Sequence, residues 1–108
     1  MSAIVVSDNL LQEVKNYLDI TWDDTDADEK LTGQIRRGIA YISSKTGVDT
    51  SVFEPDAEDP DDRAKELLLN YVLYDRSGAL NDFKRNYQSD IVGLRIRWEV
   101  ANATESEG

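Results

Sequence analysis

The sequence predicts a single all-α domain, a small bundle of four to five helices. Three observations support this class. Apolar residues recur at helical spacing along most of the chain, Gly47, Pro60 and Gly78 fall where those helices would begin or end, and one strand-like stretch has no second strand to pair with. We predict that residues 1–103 form the domain, with an acidic loop at about 48–60, and that residues 104–108 form a flexible, disordered tail.

The composition excludes several classes of function. The chain contains no cysteine and no histidine, so it lacks disulfides, thiolate metal ligands and the commonest general base. We therefore expect no enzyme activity, no metal site and no cofactor. The formal net charge of −10 argues against ordinary nucleic-acid binding, which requires a basic surface. No secretory leader or membrane span is predicted, and we expect an intracellular protein without a membrane partner.

A run of acids, DDTDADEK at 23–30, separates the first two predicted helices. Its alternating Asp24, Asp26 and Asp28 resemble the first ligands of an EF-hand, but the glycine and glutamate required later in that loop are absent. The acids instead predict a helix start, in which Thr25 and Asp28 form a capping box and the negative charges favour the positive end of the helix dipole. An adventitious cation site is the alternative interpretation.

Helix ends can be placed from capping residues. The first helix is predicted over residues 8 to 19, with Ser7 or Asp8 as N-cap. The second begins at the acid run and ends at Gly47, a residue type typical of the position after a helix. After the loop, Asp59 as N-cap and Pro60 as first helical residue predict a third helix, which ends near residues 77–78. A fourth helical segment follows directly.

Two glycines lie inside the second predicted helix. The stretch GQIRRG, residues 33–38, has the spacing of a phosphate-binding Walker A loop but lacks its lysine, so no phosphate site is expected. Each glycine in a helix interior costs up to about 1 kcal/mol relative to alanine. Gly33 and Gly38 therefore predict a close approach by a neighbouring helix or by a neighbouring subunit.

Residues 90–100 fit two patterns. Alternation of apolar and charged residues from Leu94 to Val100 favours a strand, whereas a second apolar set shares one helical face, which Ser89 or Asp90 could cap. We predict a helix, because a lone strand would have no sheet to join. The helical face consists of Ile91, Leu94, Arg95 and Trp98. Arg95, Arg97 and Trp98 could also contact nucleic acid through charge and stacking, but the net charge favours a protein interface.

Two stretches of the sequence carry a family resemblance. One is YLDITWDD, which runs into a long helix that ends at Thr46-Gly47. The other is residues 89–95, with their Leu94-Arg95 pair. In them, and in the order of features over residues 8–102, the chain resembles the small head–tail connector (adaptor) proteins of tailed bacteriophages and prophages. The resemblance implies an all-helical bundle without catalytic residues. It implies a ring, usually of twelve subunits, that lies under the portal in the virion, joins it to the stopper or tail protein, and lets DNA pass without specific binding.

The same resemblance suggests roles for particular residues. It implies that residues 89–103 dock against the portal, with candidate docking residues Ile91, Leu94, Arg95 and Trp98. It places Gly33, Arg37 and Gly38 at the contact between subunits. The acids at 19–29 and 54–62 are candidates for the channel lining, because an acidic lumen repels phosphates; they include Asp24, Asp26, Glu58 and Asp59. The equal alternative is that these acids only keep loops solvated.

Surplus apolar residues fit a ring, which needs two different contact faces on each subunit. We expect Ile4, Val5, Val6, Ile96 and Trp98 to supply them. The protein would be made in the cytoplasm of the bacterial host. A competing hypothesis is an acidic DNA mimic or inhibitor that occupies a basic site on another protein. It predicts a contiguous acidic face on a monomer or dimer with no affinity for a portal.

Overall fold

Five α-helices and one short 3₁₀-helix make up the fold of the described residues. The computed structural model describes the backbone of residues 4–22 and 24–107 and the side chains of residues 4–22 and 24–101. The helices are α1 (Asp8–Tyr17), α2 (Thr25–Thr46), α3 (Asp62–Arg76), α4 (Leu80–Asn86) and α5 (Gln88–Glu107), with the 3₁₀-helix at Thr50–Phe53. The described residues contain no strand. The predicted all-α class is therefore confirmed, and so is the helix over residues 90–100.

Helix α2 is the centre of the bundle. It packs against α1, the 3₁₀-helix, α3 and α5. Phe53 in the 3₁₀-helix is fully buried and holds the acidic loop to the core. The most deeply buried apolar side chains come from every helix: Leu10, Val14, Ile35, Ile39, Ile42, Leu68, Val72, Phe83 and Leu94. Burial of such side chains removes apolar surface from water and is the main stabilising contribution to the fold.

The first two helices begin with a side-chain cap, but one cap differs from the prediction. Ser7 caps α1, as one of the two predicted alternatives, by accepting a hydrogen bond from the N–H of Leu10. The cap of α2 is Asp24, not Thr25, because the Asp24 carboxylate accepts hydrogen bonds from the N–H groups of residues 26 and 27. Asp28 forms no capping box. Its carboxylate pairs instead with the Lys15 ammonium, at 3.1 Å.

The start of α3 also differs from the prediction. Asp61, not Asp59, is the N-cap, and its Oδ1 accepts 3.0 Å hydrogen bonds from the N–H groups of Arg63 and Ala64. Pro60 precedes the cap and lies in the loop rather than in the helix. The other carboxylate oxygen of Asp61 is held by α5, a long-range contact that selects this aspartate over its neighbours.

Two helices end at the predicted glycines, whereas the end of α1 and the start of α5 differ from the prediction. Gly47 and Gly78 adopt the left-handed backbone conformation (φ 81° and 72°) and follow α2 and α3, as predicted. Helix α1 ends at Tyr17, two residues earlier than predicted, and Asp19 turns the chain with φ 60°. Helix α5 begins at Gln88 rather than after a cap at residue 89 or 90. Its backbone is helical through Glu107. Because helix ends fray, a helical backbone there does not test the predicted disorder of residues 104–108, which stays a prediction.

The predicted close approach occurs at Gly38 and lies within the chain. A Cβ atom on Gly38 would lie 2.7 Å from Leu68 Cδ1 and 2.9 Å from Tyr71 Cδ1, so the glycine lets α3 pack directly against the α2 backbone. At Gly33 the nearest atom to such a Cβ is the flexible end of Arg37, at 3.5 Å. Gly33 therefore makes no close approach within the chain.

Candidate docking surface

Helix α5 carries apolar residues on two faces. Ile91 and Leu94 are only 7% and 2% exposed and belong to the core. Val92, Ile96 and Val100 are 39%, 51% and 61% exposed. They recur at four-residue intervals, so they lie along one side of the helix. We call these three residues the α5 apolar stripe.

The structure divides the predicted docking residues between these two faces. Ile91 and Leu94 lie in the interior of the subunit and do not present their side chains to a partner. Trp98 is partly buried against the core. Arg95 is exposed and lies 3.8 Å from Glu99, measured from Nε to Oε1. The side of α5 available to a partner is therefore the stripe with Arg95 beside it.

Sequence reasoning identified only Ile96 of the stripe as exposed and left out Val92 and Val100. The sequence does contain a signal for them. Once one apolar face of a helix is assigned to the core, apolar residues at spacing four on the opposite side indicate a second, exposed apolar face. Among the other residues predicted to be exposed, Val5 is at the surface, whereas Ile4 and Val6 pack against the core.

The Asp61 carboxylate fixes the rotation of α5 about its axis. Its Oδ2 accepts a 2.8 Å hydrogen bond from the Trp98 indole Nε1 and a 3.0 Å hydrogen bond from Arg97 Nη2. Burial by itself raises the pKa of Asp61. The hydrogen bonds from Trp98 and from the N–H of Ala64, together with the charge of Arg97, more than offset burial, so the pKa lies below its usual value. With Trp98 held inward, the stripe points outward.

A ring cluster supports the first turns of α5. Tyr87, between α4 and α5, stacks on Phe83 with 5.0 Å between ring centroids, and Phe83 lies edge-on to Tyr71 at 5.4 Å. Burial raises the pKa values of Tyr71 and Tyr87, as expected of phenols that pack in a core. Tyr71 therefore belongs to the packing of the core.

The predicted channel-lining acids Asp24, Asp26, Glu58 and Asp59 are all exposed. They lie in two separate regions, the start of α2 and the loop before α3. Within the described residues, no group of three or more acidic side chains is arranged to hold a metal ion. The exposed positions are compatible with either interpretation of these acids.

The three residues predicted at a subunit contact differ in accessibility. Gly38 is buried against α3, as described above. Arg37 is exposed and extends along the surface, where its Nη2 lies 3.5 Å from Asp75 Oδ2 on α3. Gly33 is partly exposed. Only Gly33 and Arg37 are thus accessible at the surface of the subunit, and the role of all three at such a contact stays a prediction.

Comparison of the chain with protein-family models, with curated proteins and with solved structures finds no match. No helix in residues 4–22 or 24–107 combines the length and apolar character needed to cross a lipid bilayer.

Proposed function

We propose that the protein is a structural head–tail connector (adaptor) of a tailed phage or prophage. In this proposal, copies of the chain form a ring, of twelve subunits as is usual for such adaptors. The ring lies under the portal at the head–tail junction, joins the portal to the stopper or tail-completion protein, and extends the DNA channel. The proposal assigns no catalytic residue, metal or cofactor to the chain.

The observation that carries the proposal is the α5 apolar stripe. A helix that buries one apolar face in its own core and exposes a second apolar face is typical of a protein that docks on another. The stripe lies on the C-terminal helix, the segment for which the resemblance implies portal docking. Because the Asp61 carboxylate fixes the rotation of α5, the stripe is presented without reorganisation of the bundle, which lowers the entropic cost of binding.

The all-helical bundle and the exposed acids also support the proposal. A ring that conducts DNA should not bind it tightly, and carboxylates facing the lumen would repel the phosphates. Asp24, Asp26, Glu58 and Asp59 are exposed and available for that purpose. The competing hypothesis, an acidic inhibitor, gives the acids the binding role and leaves the apolar stripe without a use.

Electron microscopy with a portal ring from the genome that encodes this protein tests the proposal. The portal is mixed with wild-type protein, with the variant Val92→Ser/Ile96→Ser/Val100→Ser, or with the control Leu73→Ser. Leu73 lies on α3 and is 39% exposed, the same fraction as Val92, so the control shows the effect of removing one exposed apolar side chain outside the stripe. We expect a second ring stacked on the portal with the wild type and the control, and bare portals with the stripe variant.

Two other outcomes are informative. Bare portals with the wild type, at concentrations where a micromolar complex forms, would refute the adaptor function and favour the acidic inhibitor. Stacked rings with the stripe variant would retain the adaptor function but show that the docking surface lies elsewhere on the subunit.

A further inference from the structure

A basic groove lies between α2, α4 and α5 in this acidic protein. The groove is an open cavity of about 530 Å³, and none of its lining residues is acidic. Its basic residues are Lys45, Lys84, Arg85 and Arg95, which is four of the 12 lysines and arginines in a chain of net charge −10. Val92 of the α5 apolar stripe also lines it. We call this surface the basic groove.

Two of these cations are held close together by an aromatic ring. The Lys84 and Lys45 ammonium groups lie 5.3 Å and 5.8 Å from the centroid of the Tyr41 ring, within the range of a cation–π interaction. The ring itself packs against Tyr71 and Phe83 of the core, with centroids 5.7 Å and 6.4 Å away. The packed ring therefore keeps both cations at the groove.

These two lysines are available to an external anion. Among the described residues, the ion pairs involve neither Lys45 nor Lys84. Arg85 pairs with Asp82 at 2.6 Å on the rim, and Arg95 lies 3.8 Å from Glu99. Two like charges beside one ring repel each other, and a carboxylate between them would relieve that repulsion.

Helix α2 carries opposite charges at its two ends. Asp24, Asp26 and Glu29 are exposed at its beginning, and Lys45 lies in its last turn. With a rise of 1.5 Å per residue, Asp24 and Lys45 are about 30 Å apart. This distance is several Debye lengths at physiological salt, so the acidic start of α2 cannot pair with the groove of its own subunit.

We infer that the basic groove binds the acidic start of α2 of a second copy of this chain. The occupant follows from charge complementarity, since three exposed carboxylates at one end of the molecule match a groove with four cations at the other. A contact between opposite ends is heterologous, and its repetition generates a ring or a filament. The inference rests on the proposed function, in which such contacts close into the connector ring. Asp24 and Asp26 then lie at the contact between subunits, and Glu58 and Asp59 remain as the channel-lining acids.

Heterologous cross-linking tests the contact, because a chain without cysteine offers a clean background. Asn81→Cys places a thiol in the lining of the groove, and Ala27→Cys places one at the exposed start of α2. The two variants are treated with a short bismaleimide at millimolar protein concentration, separately and as an equal mixture. We expect cross-linked dimers in the mixture, little in either variant alone, and loss of the dimers in 1 M salt, which screens charge pairs.

Charge reversal provides the second arm. Introducing Lys84→Glu into the Asn81→Cys protein should reduce the cross-linked dimer by about tenfold, because like charges at an interface strongly oppose association. Asp26→Lys/Glu29→Lys in the Ala27→Cys partner should restore much of it. Arg76→Glu, an exposed change of the same sign at the end of α3, is the matched control and should have little effect. If Lys84→Glu impairs folding by circular dichroism, Arg95→Glu replaces it.

Several outcomes would overturn the inference. These are absence of the mixed dimer, equal cross-linking of Ala27→Cys with itself, or the same yield with and without Lys84→Glu. A labelled DNA duplex that binds the wild type but not Lys84→Glu would identify phosphate as the occupant instead. Stacked rings formed on portals by Lys84→Glu protein would overturn the contact and leave the adaptor function standing. Bare portals with the wild type would refute the function, whatever the cross-linking shows.

Discussion

The indole N–H of Trp98 donates a 2.8 Å hydrogen bond to Asp61, the residue whose other carboxylate oxygen caps helix α3. A single buried side chain thus ends the acidic loop, starts one helix and orients another. Because the orientation of α5 determines which of its faces is exposed, the position of the proposed docking surface depends on this carboxylate.

Replacement of Asp61 by alanine should therefore cost more than the loss of an ordinary helix cap. Loss of a cap costs about 1 kcal/mol, and leaving the Trp98 N–H without an acceptor adds about 1–3 kcal/mol. We expect Asp61→Ala to lower the free energy of unfolding in urea by about 2–4 kcal/mol. The matched control is Asp24→Ala, which removes an exposed cap of the same kind and should cost about 1 kcal/mol. Equal losses in the two variants would argue against the added role of Asp61.

The same carboxylate should make stability depend on acid pH. Because the pKa of Asp61 is lowered in the folded protein, its ionised form contributes stability at pH values above the unfolded pKa of about 3.9. That contribution is lost as the pH falls through the lower, folded pKa. We expect the difference in unfolding free energy between wild type and Asp61→Asn to be constant from about pH 5 to pH 7 and to shrink below about pH 4. Parallel curves for the two proteins down to pH 2 would contradict this linkage.

The two glycines of α2 should respond to alanine in opposite directions. Gly38→Ala places a methyl group against Leu68 and Tyr71, and overpacking of this kind costs about 1–3 kcal/mol. Gly33→Ala meets only the flexible end of Arg37 and should stabilise the protein by up to about 1 kcal/mol through helix propensity. Thermal unfolding of the two variants measures the contrast. A stabilised Gly38→Ala protein would show that α3 moves away from α2 at little cost.

The two partners of the Lys15–Asp28 ion pair should differ in how much stability is lost when each is replaced. Lys15 is buried, with only 4% of its side chain exposed, whereas Asp28 is 29% exposed. Asp28→Asn removes a negative charge from beside a buried ammonium and should lower the free energy of unfolding by about 1–2 kcal/mol. Lys15→Met leaves a carboxylate that water can reach, so its cost should be at most about 1 kcal/mol. The surface pair of Arg85 and Asp82 provides the control, and Asp82→Asn should change stability by less than about 0.5 kcal/mol. Urea unfolding would rank the three variants, and a larger loss for Lys15→Met would reverse the argument.

Local features of the sequence sufficed to predict the helices but not to place every cap. Apolar spacing and the glycines at 47 and 78 depend on residues near one another, so the helices and the C-terminal ends of α2 and α3 could be predicted. At each acidic helix start, by contrast, several aspartates could have served as the cap. Asp61 is selected by Trp98 and Arg97, 37 and 36 residues further along the chain, a contact that no local pattern contains.

The surfaces were harder to predict than the fold. The face formed by Ile91, Leu94 and Trp98 is a real helical face, but it packs inward. Ile91 and Leu94 join the core, and Trp98 is held by Asp61. The basic groove could not be recognised from the sequence. Lys45, Lys84 and Arg95 are far apart in the chain, and a net charge of −10 conceals a local cluster of the opposite sign.

Helix α2 packs both against α1, which precedes it, and against α3 and α5, which follow it. During synthesis, the apolar side of α2 therefore leaves the ribosome well before the residues that cover it have been translated. A nascent chain that stops before α5 leaves this side open to water and to chaperones or proteases, and we expect that it does not form a smaller stable bundle. Since α5 also carries the apolar stripe, a chain that stops before α5 lacks both part of its core and that surface, and under the proposed function we expect such a product to be excluded from assembly.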